Sequence, residues 1–420
     1  MKSKMRGFAV PLAMVAIMML LAMGVGLLNL GLTSRTYSAR TAADIAARCA
    51  ADAGLTKALF EMNEKLKTKP WSDGVLPTVM NQPLSSCDAT FSYEVVPSAG
   101  GYVVGCIGTS GYAERRIYAT IELQGPFEHA ILTKNSLILK SGTVVDGYNS
   151  TDPLDTDADV DIGTQSTAAL SVYLNMGVTV DGSVIVGVGG NPDTVIKDLG
   201  ATTQGKYAAT SNDPLPQITP PSLTVMGQTI AAKGETVTLT PDDNGQYGNI
   251  SLAKGGAQGG AVPGVLEVTG GDVVLYITGD IDLGQDCEIV VRDDATLTLY
   301  VDGDIHCNEN SGVNSESPPE EASTLKLYGT SDSTQDFDIK AKSAWTGVIY
   351  APNADIDLYA KGDAYGSVVA NTFEFKAGGK YHYDEALRNV EVDDEAVRFV
   401  VTRWHEGDYD PSVFGVELGI

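Results

Sequence analysis

The sequence predicts a mainly β protein that begins with a long α-helix and continues through a small antiparallel meander into a right-handed parallel β-helix. Three observations predict this fold class. An uncharged run of 25 residues, Phe8 to Leu32, follows a short basic start. Three segments between residues 90 and 124 alternate apolar and polar side chains, as strands with one buried face do. Short apolar runs then recur at spacings of 24 and 19 residues, which is typical of β-helix coils.

The uncharged run is long enough to cross a membrane as a helix. Crossing a hydrocarbon core of about 30 Å takes about 20 apolar residues, whereas a secretory signal has a shorter apolar region followed by a cleavage site. The composition stays helical to Lys67, ahead of Pro70. We predict that residues 8–32 form the transmembrane part of the helix and residues 33–69 its extension. The basic start places the rest of the chain outside the cytoplasm, with a single pass through the inner membrane.

The junction before the helix resembles a known processing site. Gly7-Phe8, after basic residues, is similar to the class III leaders that prepilin peptidase cleaves in type IV pilins and type II secretion pseudopilins. The resemblance implies a leader of residues 1–7, cleavage after Gly7 and methylation of Phe8. AADAGL at residues 50–55 and the start RGFAVPL resemble the PilX-like pilus assembly proteins. A plain N-terminal membrane anchor is the alternative that the residues leave open.

Leu12 departs from the usual pilin pattern. Most pilins have a glutamate at this fifth mature position, where it is thought to neutralise the N-terminal amine of the adjacent subunit inside an apolar filament core. An unpaired charge buried there is costly. PilX-like proteins and the large tip pseudopilin of secretion systems also lack the glutamate, so the resemblance implies a minor subunit at the filament tip. A membrane protein that never polymerises is the alternative.

The charge of the chain is unevenly distributed. The net charge is −26, although residues 1–70 contain ten Lys or Arg against four Asp or Glu. The acidic excess therefore lies beyond residue 70. An acidic exterior opposes binding to nucleic acid and to anionic membrane surfaces. We expect contact with lipid through the N-terminal helix, followed by a soluble acidic region.

Residues 70–126 predict a pilin-like β meander. Thr90–Pro97, Gly101–Gly108 and Ala113–Gln124 alternate apolar and polar residues and are separated by turn-forming residues. The preceding residues 71–86 contain two prolines and have the composition of a loop. Packed on the end of the helix, the three strands would complete a pilin-like α/β unit.

The β-helix is predicted from internal recurrences. Tyr276–Ile281 recurs as Tyr300–Ile305, and Gly347–Ala351 recurs as Gly366–Ala370. A β-sandwich would show longer and more evenly alternating strands. The side chains expected on one face of neighbouring coils are Val348, Tyr350, Ser367 and Val369, and those expected on the other face are Ile349 and Val368.

A second resemblance covers the end of this region. Residues 347–387, with Tyr350-Ala351-Pro352-Asn353, Gly366 and His382-Tyr383-Asp384, resemble the C-terminal part of an uncharacterised bacterial β-helical domain that often follows PilX-type N-termini. The resemblance implies a fold and a cell-surface context, and no activity. We assign residues 127–388 to the β-helix domain and residues 389–420 to a C-terminal tail.

The cysteines of an exported chain can form disulfides. Proximity in sequence predicts the pairs Cys87–Cys106 and Cys287–Cys307, and Cys49 is interpreted as a small apolar residue of the helix. The chain has no Cys-x-x-Cys motif, which argues against a structural zinc site.

Candidate chemistry is sparse. Asp155, Asp157 and Asp159 alternate as at the start of a calcium loop, although the sixth and twelfth positions of such a loop would be Val160 and Ser166 rather than Gly and Glu. These aspartates are weak Ca²⁺ candidates, and a solvated acidic strand is the alternative. No other metal and no cofactor is predicted.

No enzymatic motif stands out. His382 and Asp384 could share a strand face and close the last coil, which is a structural role. Asp293 and Asp294 beside Arg292 resemble the pairing in polysaccharide-cleaving β-helices only superficially. We therefore expect no enzyme activity and no catalytic residue.

The sequence thus favours a minor pilin or pseudopilin-like subunit. It would be processed by prepilin peptidase, would contact other pilins and inner-membrane assembly proteins, and would present the β-helix for adhesion, recognition of a surface or glycan ligand, or assembly priming. One alternative is a membrane-anchored cell-envelope protein that does not polymerise. A second alternative is a surface enzyme that acts on polysaccharides.

Overall fold

The structure is a computed structural model, and it describes residues 9–85, 87–152, 158, 160–211, 214–256, 260–314, 322–376 and 379–407. Within these residues the chain forms two compact units. The first unit contains the residues up to Leu123 together with those from Arg398, and the second unit contains Gln124–Val397.

One helix, α1 (Ala9–Lys65), begins the first unit and is unbroken over 57 residues. Pro11 is tolerated in its first turn, since the N–H that proline lacks has no partner there. Side chains from Val10 to Leu32 are exposed, whereas the second half of α1 buries small and apolar side chains. Those buried are Ala47, Ala50, Ala51, Ala58 and Met62. The prediction of one long helix is confirmed, with its end at Lys65 rather than Lys67.

A five-stranded sheet packs on α1. Its strands are β1 (Thr78–Pro83), β2 (Ala89–Ser98), β3 (Gly101–Ser110), β4 (Ala113–Gln124) and, at the edge beside β4, a C-terminal strand (Arg398–Glu406). Pairing along β1–β4 is antiparallel, so the predicted meander is confirmed as β2–β4.

Two edge strands correct the prediction. β1 lies in the segment predicted as a loop. Its pairing with β2 shifts register between Val79 and Gln82, so its sequence shows no regular alternation that would predict a strand. The C-terminal strand lies in the segment predicted as a tail. Its neighbour in the sheet is far away along the chain, so no local repeat indicates the pairing.

The second unit is built from short strands and a few short helical turns. In chain order the strands are β5 (Ile131–Leu139), β6 (Val144–Tyr148), β7 (Val160–Thr164), β8 (Val172–Leu174), β9 (Thr179–Val180), β10 (Gly182–Val186), β11 (Ile196–Asp198), β12 (Gly205–Ala208), β13 (Val225–Lys233), β14 (Thr236–Leu239), β15 (Gly245–Ala253), β16 (Val265–Val268), β17 (Gly271–Ile277), β18 (Ile281–Leu283), β19 (Glu288–Val291), β20 (Ala295–Val301), β21 (Ile305–Cys307), β22 (Gly312–Val313), β23 (Leu325–Gly329), β24 (Gln335–Ala341), β25 (Trp345–Ala360), β26 (Ala364–Phe375) and β27 (Lys380–Asp384). The helical turns are Pro192–Val195, Pro241–Asp243, Ala322–Thr324 and Glu385–Arg388.

The strands of the second unit pair in parallel at the predicted spacings. β17, β18 and β19 pair with β20, β21 and β22, so that Tyr276 lies beside Tyr300. β25 pairs with β26 and places Gly347 beside Gly366. The predicted recurrences of 24 and 19 residues are therefore confirmed as the register between neighbouring turns of the chain.

These turns wrap around one apolar core, so the parallel sheet is closed and barrel-like. Ile349 and Val368 belong to this core, as one of the two predicted faces requires. Val348, Tyr350 and Val369 belong to a separate apolar cluster on the other face of the same strands. The predicted division between the two faces is confirmed.

The turns are not stacked in chain order. β5 and β6, the first strands of the second unit, pair with β7, β8 and β9 on one side. On the other side they pair with β26 and β27, the last strands of the unit. We call this junction of the first and last turns the seam. The stack therefore ends in β12 in one direction and in the turn β13–β14 in the other.

Candidate functional site

The first half of α1 has no partner within the described residues. We call residues 10–32 the exposed helical segment. Its large apolar side chains are at least half exposed, including Leu12 at 71% and Val15 at 50%. The helix is long and apolar enough at this end to cross a membrane, by length and composition. An apolar surface of this size on a helix marks contact with lipid or with other apolar helices.

The second half of α1 is held closely against the sheet. Gly108 on β3 faces the helix backbone, and a side chain there would overlap the carbonyl oxygen of Ala47 and lie 2.5 Å from the amide nitrogen of Ala51. Tyr93 donates a hydrogen bond to Glu61 at 2.6 Å. Small residues on both elements therefore bring the backbones together, which fixes the direction in which the exposed helical segment leaves the sheet.

An ion pair marks the point where α1 leaves the sheet. Arg115 on β4 donates two hydrogen bonds to Asp44, both of 2.7 Å. The Arg115 guanidinium holds the pKa of the Asp44 carboxyl below its usual value. Both side chains are partly exposed, so the pair contributes orientation more than stability.

The start of the helix carries no carboxylate in its first turn. Leu12 is among the most exposed of its apolar side chains. Gly7 and Phe8, the predicted processing site, lie outside the described residues, so the cleavage and the methylation stay predictions.

All five cysteines are free thiols in the structure, which corrects the predicted disulfides Cys87–Cys106 and Cys287–Cys307. Cys106 lies opposite Tyr93, whereas Cys87 lies in the turn before Ala89. Four residues of strand from Ala89 to Tyr93 span roughly 13 Å, which exceeds the ~4.4–6.8 Å between the Cα atoms of a disulfide.

The second predicted pair fails for a related reason. Cys307 stacks on Leu283 of the preceding turn rather than on Cys287. Both thiols lie within the apolar core. Burial raises the pKa of Cys307 to about 11, so this thiol is a poor nucleophile.

The weak calcium candidates Asp155, Asp157 and Asp159 lie outside the described residues. The neighbouring Asp161 is described, and its carboxylate accepts a hydrogen bond from the backbone N–H of Ser183 at 3.3 Å. Among the described residues no group of three or more His, Cys, Asp or Glu side chains could hold a metal ion.

His382 and Asp384 have separate structural partners. His382 lies at the seam, where its Nδ1 pairs with Asp146 of β6 and its ring stacks on Tyr365 at 4.6 Å. Asp384 is buried and accepts hydrogen bonds from the backbone N–H groups of Ser150, at 3.0 Å, and Ala386, at 3.1 Å. The two side chains hold different chain segments and do not form a relay.

A ladder of side-chain oxygens, which was not among the predicted features, runs along one corner of the stack. Asp280 donates its backbone N–H to Asn249 at 2.9 Å, Asp304 donates to Asp280 at 2.9 Å, and Asp336 donates to Asp304 at 2.8 Å. Burial raises the pKa of the Asp336 carboxyl. The signal in the sequence is the Gly-Asp-Ile that recurs with the 24-residue spacing. These carboxylates join neighbouring turns of the chain.

One family model matches part of the second unit. Residues 225–390 match the family described as "domain of unknown function (DUF7305)". The matched residues cover the run from β13 to β27 and leave out β5–β12. No curated protein sequence matches the chain.

Three solved structures are similar to this chain at 13% identity. One is a competence-associated pilin, ComZ, from Thermus thermophilus, with 87% of this chain and 97% of that chain covered and a TM-score of 0.25. Another is the DUF3494 domain of ice-binding protein 1 from Shewanella frigidimarina, with 63% and 95% covered and a TM-score of 0.21. The third is an ice-binding protein from the Antarctic ascomycete Antarctomyces psychrotrophicus, with 61% and 92% covered and a TM-score of 0.18.

Proposed function

We propose that the chain is a minor, PilX-like pilin subunit that is anchored in the inner membrane and then assembled into a type IV pilus or a type II secretion-like filament. The observation that carries this proposal is the division of α1 into an exposed apolar half and a half packed on a sheet. The exposed helical segment can exchange lipid for the apolar helices of other pilins without unfolding the sheet. The second unit is then the exposed payload, for adhesion, recognition or assembly priming, and the proposal gives it no catalytic role and no cofactor.

Two features support a place at the tip and a low copy number. Leu12 offers no carboxylate to a neighbouring subunit's N-terminal amine. The second unit stacks about ten turns of chain at ~4.8 Å each, or roughly 50 Å. Neighbouring helices pack about 8–10 Å apart, so a payload of this length is hard to repeat along a closely packed shaft.

We also propose that the closed parallel sheet of the second unit is a right-handed β-helix. Its strands are parallel and are joined by crossover connections. Crossovers between parallel strands of one sheet are right-handed in about 98% of cases.

Processing by prepilin peptidase is the first expected result. Mass spectrometry of the protein from cells that contain this peptidase is expected to find Phe8 as the N-terminal residue with one added methyl group. Replacement of Gly7 by a bulkier residue should leave the leader attached and the chain in the membrane. An intact Met1 in the wild-type protein from those cells would contradict the proposal.

Immunogold labelling of sheared filaments tests the position of the subunit. We expect label at one end of a filament, because the payload and Leu12 both disfavour repetition. Regularly spaced label along the shaft would contradict the tip position. Complete retention in purified inner membranes would favour the anchored protein that does not polymerise.

A further inference from the structure

The two ends of the stacked strands in the second unit differ in how they are finished. Within the described residues β12 pairs only with β10, and β13 pairs only with β15, so each terminal strand has one edge without a partner strand. Free strand edges are templates for pairing with another chain, and proteins usually protect them with short strands, charged residues or proline.

The end at β12 is protected in this way. β12 is only four residues long, and Lys206 lies beside the buried Val184, at a position that faces the core in the preceding turn. Its ammonium group forms a salt bridge of 2.6 Å with Asp198, which lies beside the buried Leu174. A charged pair therefore caps the core at this end, and an added strand would have to bury it.

The end at β13 has only one such protection, Lys233, which is the last residue of the strand. β13 is nine residues long and carries no charge and no proline from Val225 to Ala232. Val225 is 69% exposed and Met226 is 47% exposed. Where Lys206 and Asp198 cap the other end, the corresponding inward positions here are apolar, namely Ile230 and Ala232.

We propose that the free edge of β13 is the interface at which the second unit binds a second copy of this chain. The two β13 strands pair antiparallel about a two-fold axis near Gln228. The pairing of β13 with β15 shows why this position suits the axis. The first part of β15 pairs with β17 and its second part pairs with β18. Residues of β13 before Gln228 therefore line up with β17, and residues after it line up with β18. A two-fold rotation at this bend exchanges the two arms, so each arm finds a strand edge to pair with.

The charge distribution favours a second copy of this chain as the partner that binds the free edge of β13. The chain carries −26, so most approaches between two copies bring acidic surfaces together. The end turn, Val225–Leu239, contains one lysine and one glutamate and is neutral. A basic partner would be attracted to the acidic sides rather than to this end. An uncharged strand fits here, and a self-complementary edge closes as a two-fold dimer. The inference concerns the second unit alone and does not depend on filament assembly.

Cross-linking of the full-length protein in detergent tests the interface. Cys49 and Cys87, the two exposed cysteines, are replaced by serine, and Gln228→Cys or Tyr207→Cys is added. Antiparallel neighbours have Cα atoms about 4.5–5.5 Å apart, within reach of a disulfide. Mild oxidation is expected to convert most of the Gln228→Cys protein to a covalent dimer. The Tyr207→Cys control places an exposed thiol on the protected strand. It should give at least about tenfold less dimer, because the charged cap of Lys206 and Asp198 opposes pairing at that edge.

A second pair of variants tests the interface by sedimentation velocity, without cross-linking. Thr229→Lys brings two like charges together across the proposed axis and is expected to weaken dimerisation by about tenfold or more in sedimentation velocity. Tyr207→Lys makes the same change at the other end and should leave dimerisation unchanged. Association of the N-terminal helices in detergent micelles is the same in both variants, so a difference between them reports on the second unit. A monomeric Gln228→Cys protein after oxidation, equal cross-linking of Tyr207→Cys, or unchanged dimerisation of Thr229→Lys would overturn the proposal.

Discussion

Replacement of Gly366 by alanine is expected to unfold the second unit at temperatures where the wild-type protein is folded. Gly366 has φ +130°, a conformation that residues with a Cβ atom rarely adopt. A Cβ atom there would also overlap the carbonyl oxygen of Gly347 and lie 2.8 Å from its carbonyl carbon. The obstacle is backbone, and β26 is paired with β25 on one side and β5 on the other, so neither strand can shift away. Strain and overlap together should cost about 4 kcal/mol or more of unfolding free energy.

Denaturant unfolding of the full chain, followed by circular dichroism, measures this loss. The two units are expected to unfold in separate transitions, and only the transition of the second unit should move. Gly227→Ala is the matched control, since the nearest atom to its added methyl group would be 3.8 Å away on Tyr247. A Gly366→Ala protein as stable as Gly227→Ala would contradict the close approach of β26 to the backbone of Gly347.

Replacement of Gly108 by alanine is expected to detach the second half of α1 from its sheet. The added methyl group would meet the helix backbone at Ala47 and Ala51. A helix cannot move aside at one residue, so the whole packed half must separate and expose apolar surface that is now buried. We expect a loss of about 3 kcal/mol or more in the first unit, read as rapid proteolysis within residues 43–65.

The control is a glycine on the other side of the same interface. Gly54→Ala places its methyl group 3.3 Å from Cδ2 of Phe91, the end of a side chain that can adjust. Alanine also favours the helix by up to about 1 kcal/mol over glycine. Gly54→Ala should therefore be neutral or stabilising. Equal protease resistance of the Gly108 and Gly54 variants would refute the close packing of the two backbones.

The parts of the fold that the sequence predicted are those set by local patterns. The helix follows from composition over consecutive residues, and the register of β17 on β20 follows from side chains that repeat after one turn of chain. No sequence repeat predicted the seam, because β5 and β26 pair with one another although their sequences do not repeat. The same holds for the C-terminal strand, whose sheet neighbour β4 lies in a distant part of the chain.

The candidate site was predictable to a similar extent. The exposed helical segment is visible in the sequence, since charge is missing over a membrane-spanning length. The cysteine pairs were not predictable from proximity along the chain, because a strand carries Cys106 away from the turn that holds Cys87. The oxygen ladder at Asp280 and Asp304 was present as a repeat, but the repeat gave no indication that each carboxylate accepts the next turn's N–H.

The seam delays the folding of each newly synthesised chain. The first turn of the second unit, Ile131–Tyr148, needs the last turn, Ala364–Asp384, as the partner of its second edge. Ribosomes add about 5–20 residues per second, so roughly 10–50 s separate the emergence of the two segments. During that interval β5 and β6 present an unpaired edge while the N-terminal helix is already made. We expect this edge to be open to pairing with strands of other chains during that interval.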